Sequence, residues 1–486
     1  MSAPLDVALL IRGEDRAASD GATFDRHGPL GDGVASRAAA ATVADADAAA
    51  TAAGAALPAW AALGPNARRR LLLDAADAME ARAADFIACM AAETGASAGW
   101  AGFNVHLGAG LLREAAALTT QVKGETIPSD RPGCHAMTVR RPAGVVLGIA
   151  PWNAPVILGL RAIATPLACG NTVVLKASEQ CPATHRLIGA VLRDAGFPAG
   201  VVNVITNAPK DAGAVVAALV RHPAVRRINF TGSTHVGRII ATLAAQELKP
   251  CLLELGGKAP MVVLDDADLD AAVAAAGFGA YMNSGQICMS TERIILEQPI
   301  ADGFVARFRE RVAGLVAGDP RRENAPLGSV VDEATAERIR HLVADAVDKG
   351  AAVYGDWLRP GTLMPAILLD GVTPEMRIYA EESFGPVTTI LRAGDEEEAV
   401  RIANDTEYGL TSAVFSQNIA RALRVADRIE AGMVHINGAT VHDEAQMPFG
   451  GTKSSGYGRF GGEAGIAEFT ELKWITIDTQ TPHWPI

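Results

Sequence analysis

Between residues 143 and 264 the chain repeats one rhythm: a short, unbroken apolar run rich in β-branched residues, a turn, then a stretch with helical spacing. The runs fall at 144–150, 172–175, 201–205, 227–230 and 261–264, with helical patterns such as 184–195 and 212–219 between them. A strand that is apolar at every position, rather than at alternate ones, needs cover on both faces. Strands joined by helices of this length run parallel with right-handed crossovers, and ligands gather at their carboxyl ends. The pattern predicts an α/β fold, and no repeat at solenoid periods competes with it.

A second α/β series runs from about 255 to 448, with a helix near 268–281 and strands near 351–354 and 387–391. Residues 36–119 are dominated by alanine, with leucines and charges at helical spacing, and predict helices throughout. Segment 121–142 changes character. Gly124, Pro128, Pro132 and Gly133 punctuate short β-prone pieces, which predicts an extended arm or hairpin. The tail from about 465 to 486 contains another β-prone piece at 474–477.

Several function classes are excluded early. Residues 143–160 carry no charge and approach membrane-spanning length, but Pro151, Pro155, three glycines and Asn153 divide them into strand, turn and helix. The first residues lack a basic segment followed by an apolar one, so no secretory signal is expected. Six cysteines scattered without CxxC spacing disfavour both a disulfide scaffold and a structural zinc site. A net charge of −12 disfavours a phosphate-neutralising nucleic-acid surface. The expectation is a reduced, cytoplasmic protein with no membrane, nucleic-acid or metal partner.

Three pieces could carry chemistry. In Asn283-Ser284-Gly285-Gln286-Ile287-Cys288 a cysteine follows a helix in a small polar loop, whereas Cys169 and Cys251 sit in apolar runs typical of structural thiols. In Cys251-Leu252-Leu253-Glu254-Leu255-Gly256-Gly257-Lys258 an acid interrupts an apolar strand. Partial burial there would raise its pKa toward that of a general base, while a carboxylate left in water at a strand end is the plainer reading. In Pro151-Trp152-Asn153-Ala154-Pro155 two prolines frame an amide that could donate to a developing oxyanion or merely form an Asx-turn.

Two further turns carry weaker cofactor signals. Phe230-Thr231-Gly232-Ser233-Thr234-His235-Val236-Gly237 is not a GxGxxG fingerprint, but it allows a phosphate to approach a helix N-terminus. Lys176-Ala177-Ser178-Glu179 places a cation and an acid at a predicted sheet mouth, and an acid beside the adenosine ribose disfavours a 2′-phosphate.

In order from 151 to 459 the chain reads PWNAP, KASE, FTGSTHVG, LELGGK, GQIC, EESFGPV and PFGGTKSSGYGR. It thereby resembles the NAD(P)-dependent aldehyde dehydrogenase superfamily over essentially its whole length. The resemblance implies a Rossmann-type cofactor domain, an α/β catalytic domain and a β arm used in oligomerisation. Applied to this chain it gives an NAD-binding domain at 1–120 and 143–254, a catalytic domain at 255–448, and an arm at 121–142 and 465–486 that builds a homodimer or homotetramer.

Position by position, the resemblance makes Cys288 the nucleophile, Glu254 the general base and Asn153 the oxyanion donor alongside the Cys288 backbone N–H. It places Lys176 and Glu179 at the adenosine ribose, and Gly232, Ser233 and Gly237 near the pyrophosphate. Trp152 and Leu255 join the cofactor site, Glu382 meets the nicotinamide ribose, and Phe384 packs near the ring. His235 stands where many relatives carry an acid.

The chemistry expected of these residues is thiolate attack on an aldehyde, oxidation to a thioester with NAD, and hydrolysis driven by Glu254 rather than transfer to CoA. Segments 154–168, 171–176 and 203–237 look most like the salicylaldehyde, vanillin and benzaldehyde dehydrogenase branch. Arg161 lies eight positions after Asn153, within about 80° of it on a helix, and Trp100 is an aromatic in a Gly/Ala-rich helix. Together they could bind a hydroxylated aromatic aldehyde, although a structural ion pair for Arg161 and interhelical packing for Trp100 stand beside that reading. The alternatives are oxidation of an aliphatic carboxylated semialdehyde, with Arg161 on the carboxylate, and a non-catalytic NAD-binding homologue.

Overall fold

A computed structural model describes residues 4–31, 33–481 and 484. Residues 1–3, part of the segment read for a secretory signal, and 482, 483, 485 and 486 of the expected arm lie outside the described residues.

The 143–254 rhythm folds into an eight-stranded sheet. Its spatial order is Gly456–Tyr457, Cys251–Glu254, Val225–Thr231, Val145–Ile149, Thr172–Lys176, Val202–Ile205, Leu9–Ile11 and Glu14–Arg16. Cys251–Glu254 through Val202–Ile205 are mutually parallel. Numbered along the chain they read 5-4-1-2-3, the doubly wound order that reverses beside its first strand. Val145–Ile149, Thr172–Lys176 and Val202–Ile205 are buried at every residue, as two covered faces demand.

The fifth apolar run leaves this sheet. Ala259–Val263 sits inside a seven-stranded sheet ordered Ala352–Tyr354, Ile367–Asp370, Val387–Ala393, Thr291–Glu297, Ala259–Val263, Thr411–Phe415 and Met433–Ile436. All of its pairs are parallel except the one made by Ala352–Tyr354. Only residues 255–258 separate the two sheets, so the end of one is held against the start of the other.

The alanine-rich region forms helices Val43–Ala62, Pro65–Ala81, Ala83–Thr94 and Ala98–Leu118. Small side chains let the first approach the sheet closely, with Ala46, Ala49, Ala50 and Ala53 fully buried. Thr42 and Asp45 close its start as a reciprocal capping box. Residues 36–39 depart from the helical expectation. They belong to strand Val34–Ala39, paired with Leu5–Val7 and Thr23–His27. Tertiary pairing overrides the helix propensity of so short a run.

Segment 121–142 supplies Thr126–Ile127 and Cys134–Pro142, and Thr470–Asp478 pairs antiparallel along all of Cys134–Pro142. Residues 465–468 depart from the arm expectation, because they end helix Gly462–Glu468 on the body of the molecule. The uncharged stretch divides into strand Val145–Ile149 and helix Pro155–Arg161. Among the described residues no helix is long and apolar enough to cross a membrane.

Candidate active site

The carboxyl ends of the five parallel strands collect most of the residues singled out in the sequence. Trp152 and Asn153 follow Val145–Ile149, Lys176 and Glu179 close Thr172–Lys176, Gly232 and Ser233 follow Val225–Thr231, and Glu254 ends Cys251–Glu254. The 449–460 segment has a visible purpose here. Gly456–Tyr457 pairs with Leu253 and Glu254, while the Ser455 carbonyl accepts from Leu255 N–H at 3.0 Å and its hydroxyl donates to Gly256 O at 2.6 Å. The turn after Glu254 is thereby clamped.

Cys288 is delivered by a strained loop. After helix Leu269–Tyr281, Asn283, Ser284 and Gly285 take consecutive left-handed conformations, with φ of 51°, 55° and 70°. Such backbone persists only where its surroundings fix it. The Gln286 amide group does so, donating to Asn283 O at 3.1 Å and Ser329 O at 3.2 Å while accepting from Val331 N–H at 2.9 Å. At Gly257 a Cβ would lie 2.3 Å from the Cys288 carbonyl, so the turn beyond Glu254 reaches the cysteine loop only as glycine.

Asn153 is tied to the same loop. Its carbonyl accepts from Trp100 Nε1 at 2.9 Å and from Asn283 Nδ2 at 3.0 Å, and its own Nδ2 donates to Gln286 O at 3.0 Å. One Asn153 amide hydrogen is used in this way, and the second remains for an oxygen in the adjoining cavity. That cavity, about 150 Å³, is lined by Cys288, Asn153, Trp100 and Arg161, together with the rings of Phe103, Phe278 and Phe449. Sequence separation of nearly 190 residues between Trp100 and Cys288 is erased by the packing.

Arg161 lines the cavity with its charge already matched. Its Nη2 donates to Asp443 Oδ1 and Oδ2 at 2.7 and 2.6 Å, and its guanidinium stacks 4.1 Å from the Phe449 ring centroid. Both side chains of the pair are almost fully buried. The structural ion pair anticipated for Arg161 is therefore present, although the residue also forms cavity wall. Asp443 had no sequence signal, being 282 positions away.

Glu254 is 1% exposed and both carboxyl oxygens lack a well-formed hydrogen bond. Burial pushes its pKa up to about 7, against the opposing influence of the Cys288 thiol and the Arg161 charge. Burial and the neighbouring Glu254 push the Cys288 thiol well above its ordinary value. Before attack the site therefore favours the thiol, facing a carboxyl that is half ionised near neutrality. A nucleophile forms when that proton leaves sulfur, and Glu254 is the adjacent acceptor.

The remaining positions form a second cluster suited to a dinucleotide. Trp152 and Phe384 meet edge to face, 5.7 Å between centroids. Glu382 Oε1 accepts from Gly257 N–H at 2.9 Å, beside the turn after Glu254. Lys176 and Glu179 form an ion pair, and Asn207 Nδ2 donates to Glu179 Oε1 at 2.9 Å. Burial would raise the Glu179 pKa, but Lys176 and Asn207 outweigh it and hold the carboxyl low. Ser233 caps helix Thr234–Gln246, and a Cβ at Gly237 would lie 2.5 Å from the Leu255 side chain, which seats that helix against the end of the strand. His235 is exposed on its first turn.

The residues present fit NAD(P). Glu179 and Glu382 carry carboxyl acceptors suited to ribose hydroxyls, helix Thr234–Gln246 begins at an N-terminus of the kind that takes a phosphate, and Asn207 Oδ1 and Gln180 Oε1 near Glu179 are buried without partners. Among the described residues no group of three or more His, Cys, Asp or Glu is placed to hold a metal.

Sequence reasoning missed the groups that orient this cluster. Glu292 accepts from the Ser383 and Phe384 N–H groups at 2.9 and 3.0 Å, and Lys258 pairs with Glu292 in the interior. The local sequence hid it, since Glu292 lies between Thr291 and Arg293 at the polar start of strand Thr291–Glu297, whose apolar run begins only at Ile294.

Known proteins share this architecture. The aldehyde dehydrogenase family model matches residues 16–475. The chain is 60% identical to a vanillin dehydrogenase of Pseudomonas fluorescens, covering 99% of this chain and all of that one. It is 55% identical to a salicylaldehyde dehydrogenase of Pseudomonas putida, covering 96% and 97% of the two chains. The crystal structure of a salicylaldehyde dehydrogenase from Pseudomonas putida G7, complexed with salicylaldehyde, superposes with a TM-score of 0.97 at 52% identity, over 99% of this chain and all of that one. The match covers the motifs, the two sheets and the arm alike, and the chain belongs to the aldehyde dehydrogenase family.

Proposed function

We propose that this enzyme oxidises an aromatic aldehyde to the carboxylic acid with NAD as hydride acceptor, through a hemithioacetal and then a thioester on Cys288. The observation that carries the reading is the shared cavity. Cys288 and the spare Asn153 amide hydrogen open onto one ring-lined space of about 150 Å³, with Glu254 behind the sulfur. An apolar cavity of that volume accommodates benzene.

The aldehyde carbon is attacked by Sγ, whose proton passes to Glu254. The carbonyl oxygen takes the electron pair and is held by Asn153 Nδ2 and the Cys288 backbone N–H. When bound against Trp152, Phe384, Glu382, Lys176 and Glu179, NAD(P) supplies the hydride acceptor that family members use. Once the adduct is a thioester and Glu254 has released the thiol's proton to solvent, the ionised carboxylate takes a proton from water, hydroxide adds to the acyl carbon, and that proton passes to the departing sulfur to restore the thiol.

Similarity to vanillin and salicylaldehyde dehydrogenases over nearly the whole chain supports the aromatic class. The Arg161–Asp443 pair weighs against an aliphatic carboxylated semialdehyde, because the cation that would receive its carboxylate is already neutralised. Glu179 supports NAD over NADP, since a 2′-phosphate would face a carboxylate. In this reading residues 1–120 and 143–254 bind the cofactor, 255–448 carry the nucleophile, and the arm joins subunits as a homodimer or homotetramer. Leu472, Trp474 and Ile477, all exposed on the arm strand, support the last point. The six free cysteines support a reducing, cytoplasmic setting.

NAD(P)H formation with benzaldehyde, hydroxybenzaldehydes, succinic semialdehyde and butanal, each with NAD and NADP, tests the reading. The highest kcat/KM is expected for a benzaldehyde with NAD. A preference for either aliphatic substrate would overturn the substrate class, and equal use of NADP would overturn the role of Glu179.

A further inference from the structure

The mouth of the substrate cavity is built differently from its floor. Asn153 and Arg161 lie toward the interior, whereas Phe103, Phe278 and His442 are the most exposed wall residues. Phe103 is 39% exposed, Phe278 is 46%, and the His442 side chain is 53%. Of these three, only His442 can make a hydrogen bond. Its ring is not left free to turn. Nε2 lies 3.0 Å from Glu444 Oε1, and Glu444 is itself fixed by Gln446, whose Nε2 donates to Oε2 at 2.7 Å.

A carboxylate only accepts, so the Nε2 of His442 carries a hydrogen, and in the neutral ring Nδ1 is the acceptor. The ring also packs against His435, with centroids 5.0 Å apart at 44°. Burial, and then the proximity of His442, push His435 down to about 4, so this second ring is neutral at working pH. Its Nε2 is buried without a partner, so His435 does not compete for Glu444.

We infer that His442 is a specificity-determining residue: its Nδ1 accepts a hydrogen bond from a hydroxyl on the part of the substrate ring farthest from the aldehyde. The inference rests on the aromatic-aldehyde reading above and deepens it. An aldehyde carbon at Cys288 sets the ring along the cavity, so a para or meta substituent meets the mouth while an ortho substituent stays near the floor. Phe103 and Phe278 cover the ring at the same level and supply no competing acceptor. Glu444 sets the tautomer that leaves Nδ1 unprotonated.

The test compares kcat/KM for benzaldehyde and for 2-, 3- and 4-hydroxybenzaldehyde in the wild-type enzyme, His442→Phe, His442→Gln and Glu444→Gln. Phenylalanine keeps an aromatic ring at the mouth and removes both nitrogens. The ratio of 4-hydroxybenzaldehyde to benzaldehyde is expected to fall about tenfold in His442→Phe, the worth of one hydrogen bond to a partly desolvated group. The corresponding ratio for 2-hydroxybenzaldehyde is expected to stay within twofold. His442→Gln, which restores an acceptor oxygen, should recover part of the para preference, and Glu444→Gln should lose part of it.

A para-to-plain ratio unchanged in His442→Phe, or an equal fall for the ortho and para substrates, overturns the inference. Wild-type enzyme that prefers succinic semialdehyde or butanal over benzaldehyde, measured beside this series, instead overturns the functional reading beneath it, so the two failures are told apart. Should the phenylalanine variant not fold, the Glu444→Gln ratio decides by the same criterion.

Discussion

Replacing Glu254 by glutamine keeps the shape of a buried side chain and removes its ability to ionise. The wild-type carboxyl titrates at about 7 in the fold, against an ordinary value of 4.5. Between those values the unfolded chain has released its proton while the folded chain still holds it. Stability contributed by this group is therefore fully present below pH 4.5, falls as pH rises, and is lost above about 7. The difference corresponds to about 3 kcal/mol.

The same shift sets the activity. A base with a pKa of about 7 is roughly one-tenth ionised at pH 6 and nine-tenths at pH 8, so kcat should rise about tenfold across that interval. An unshifted glutamate would already be ionised at pH 6 and give a flat profile. Benzaldehyde is the substrate of choice because it has no ionisable ring group. In Glu254→Gln, kcat should fall at least about 100-fold. Thermal melts of the cofactor-free proteins should converge as pH falls below 4.5 and separate by pH 8.5, with the variant melting higher. A flat wild-type profile from pH 5.5 to 8, or a variant that melts lower at pH 8.5, would refute the assignment of a desolvated base.

Two further outcomes follow from the geometry. Asn153→Ala removes one oxyanion donor and should lower kcat about 100- to 1000-fold, with the melting temperature changing far less than the rate; a loss below tenfold would contradict the role. Asp443→Asn leaves Arg161 buried without its counter-charge and should destabilise the protein by about 3–5 kcal/mol. Denaturant unfolding checks this, and a change under about 1 kcal/mol would mean that Arg161 finds its compensation elsewhere.

Much of this architecture was legible because it rests on local patterns. Unbroken apolar runs reported parallel strands covered on both faces, and Pro155, Gly144 and Asn153 converted an apparent membrane span into strand, turn and helix. Glu254 and Cys288 stood out because each residue type was wrong for its immediate surroundings. What remained hidden was relational. Asp443 neutralises Arg161, Gln286 ties the cysteine loop to Ser329 and Val331, and Ser455 clamps Gly256, in each case across a sequence distance that no periodicity encodes. The strand at 34–39 was hidden for another reason, since three alanines in six residues favour helix locally and pairing with the neighbouring strands overrode them. Glu292 was hidden as well, because Thr291 and Arg293 flank it and make an acid look ordinary at that position.

The central claim is that the aldehyde carbon becomes bonded to one sulfur. Peptide mass mapping of the wild-type enzyme, acid-quenched during the first turnover after mixing with benzaldehyde and NAD, tests it most directly, because acid stops hydrolysis while Glu254 is still present to take the thiol proton. The account predicts one benzoyl group on the peptide containing Cys288. NADH formation with that peptide unmodified, or with the benzoyl group on another residue, would contradict it.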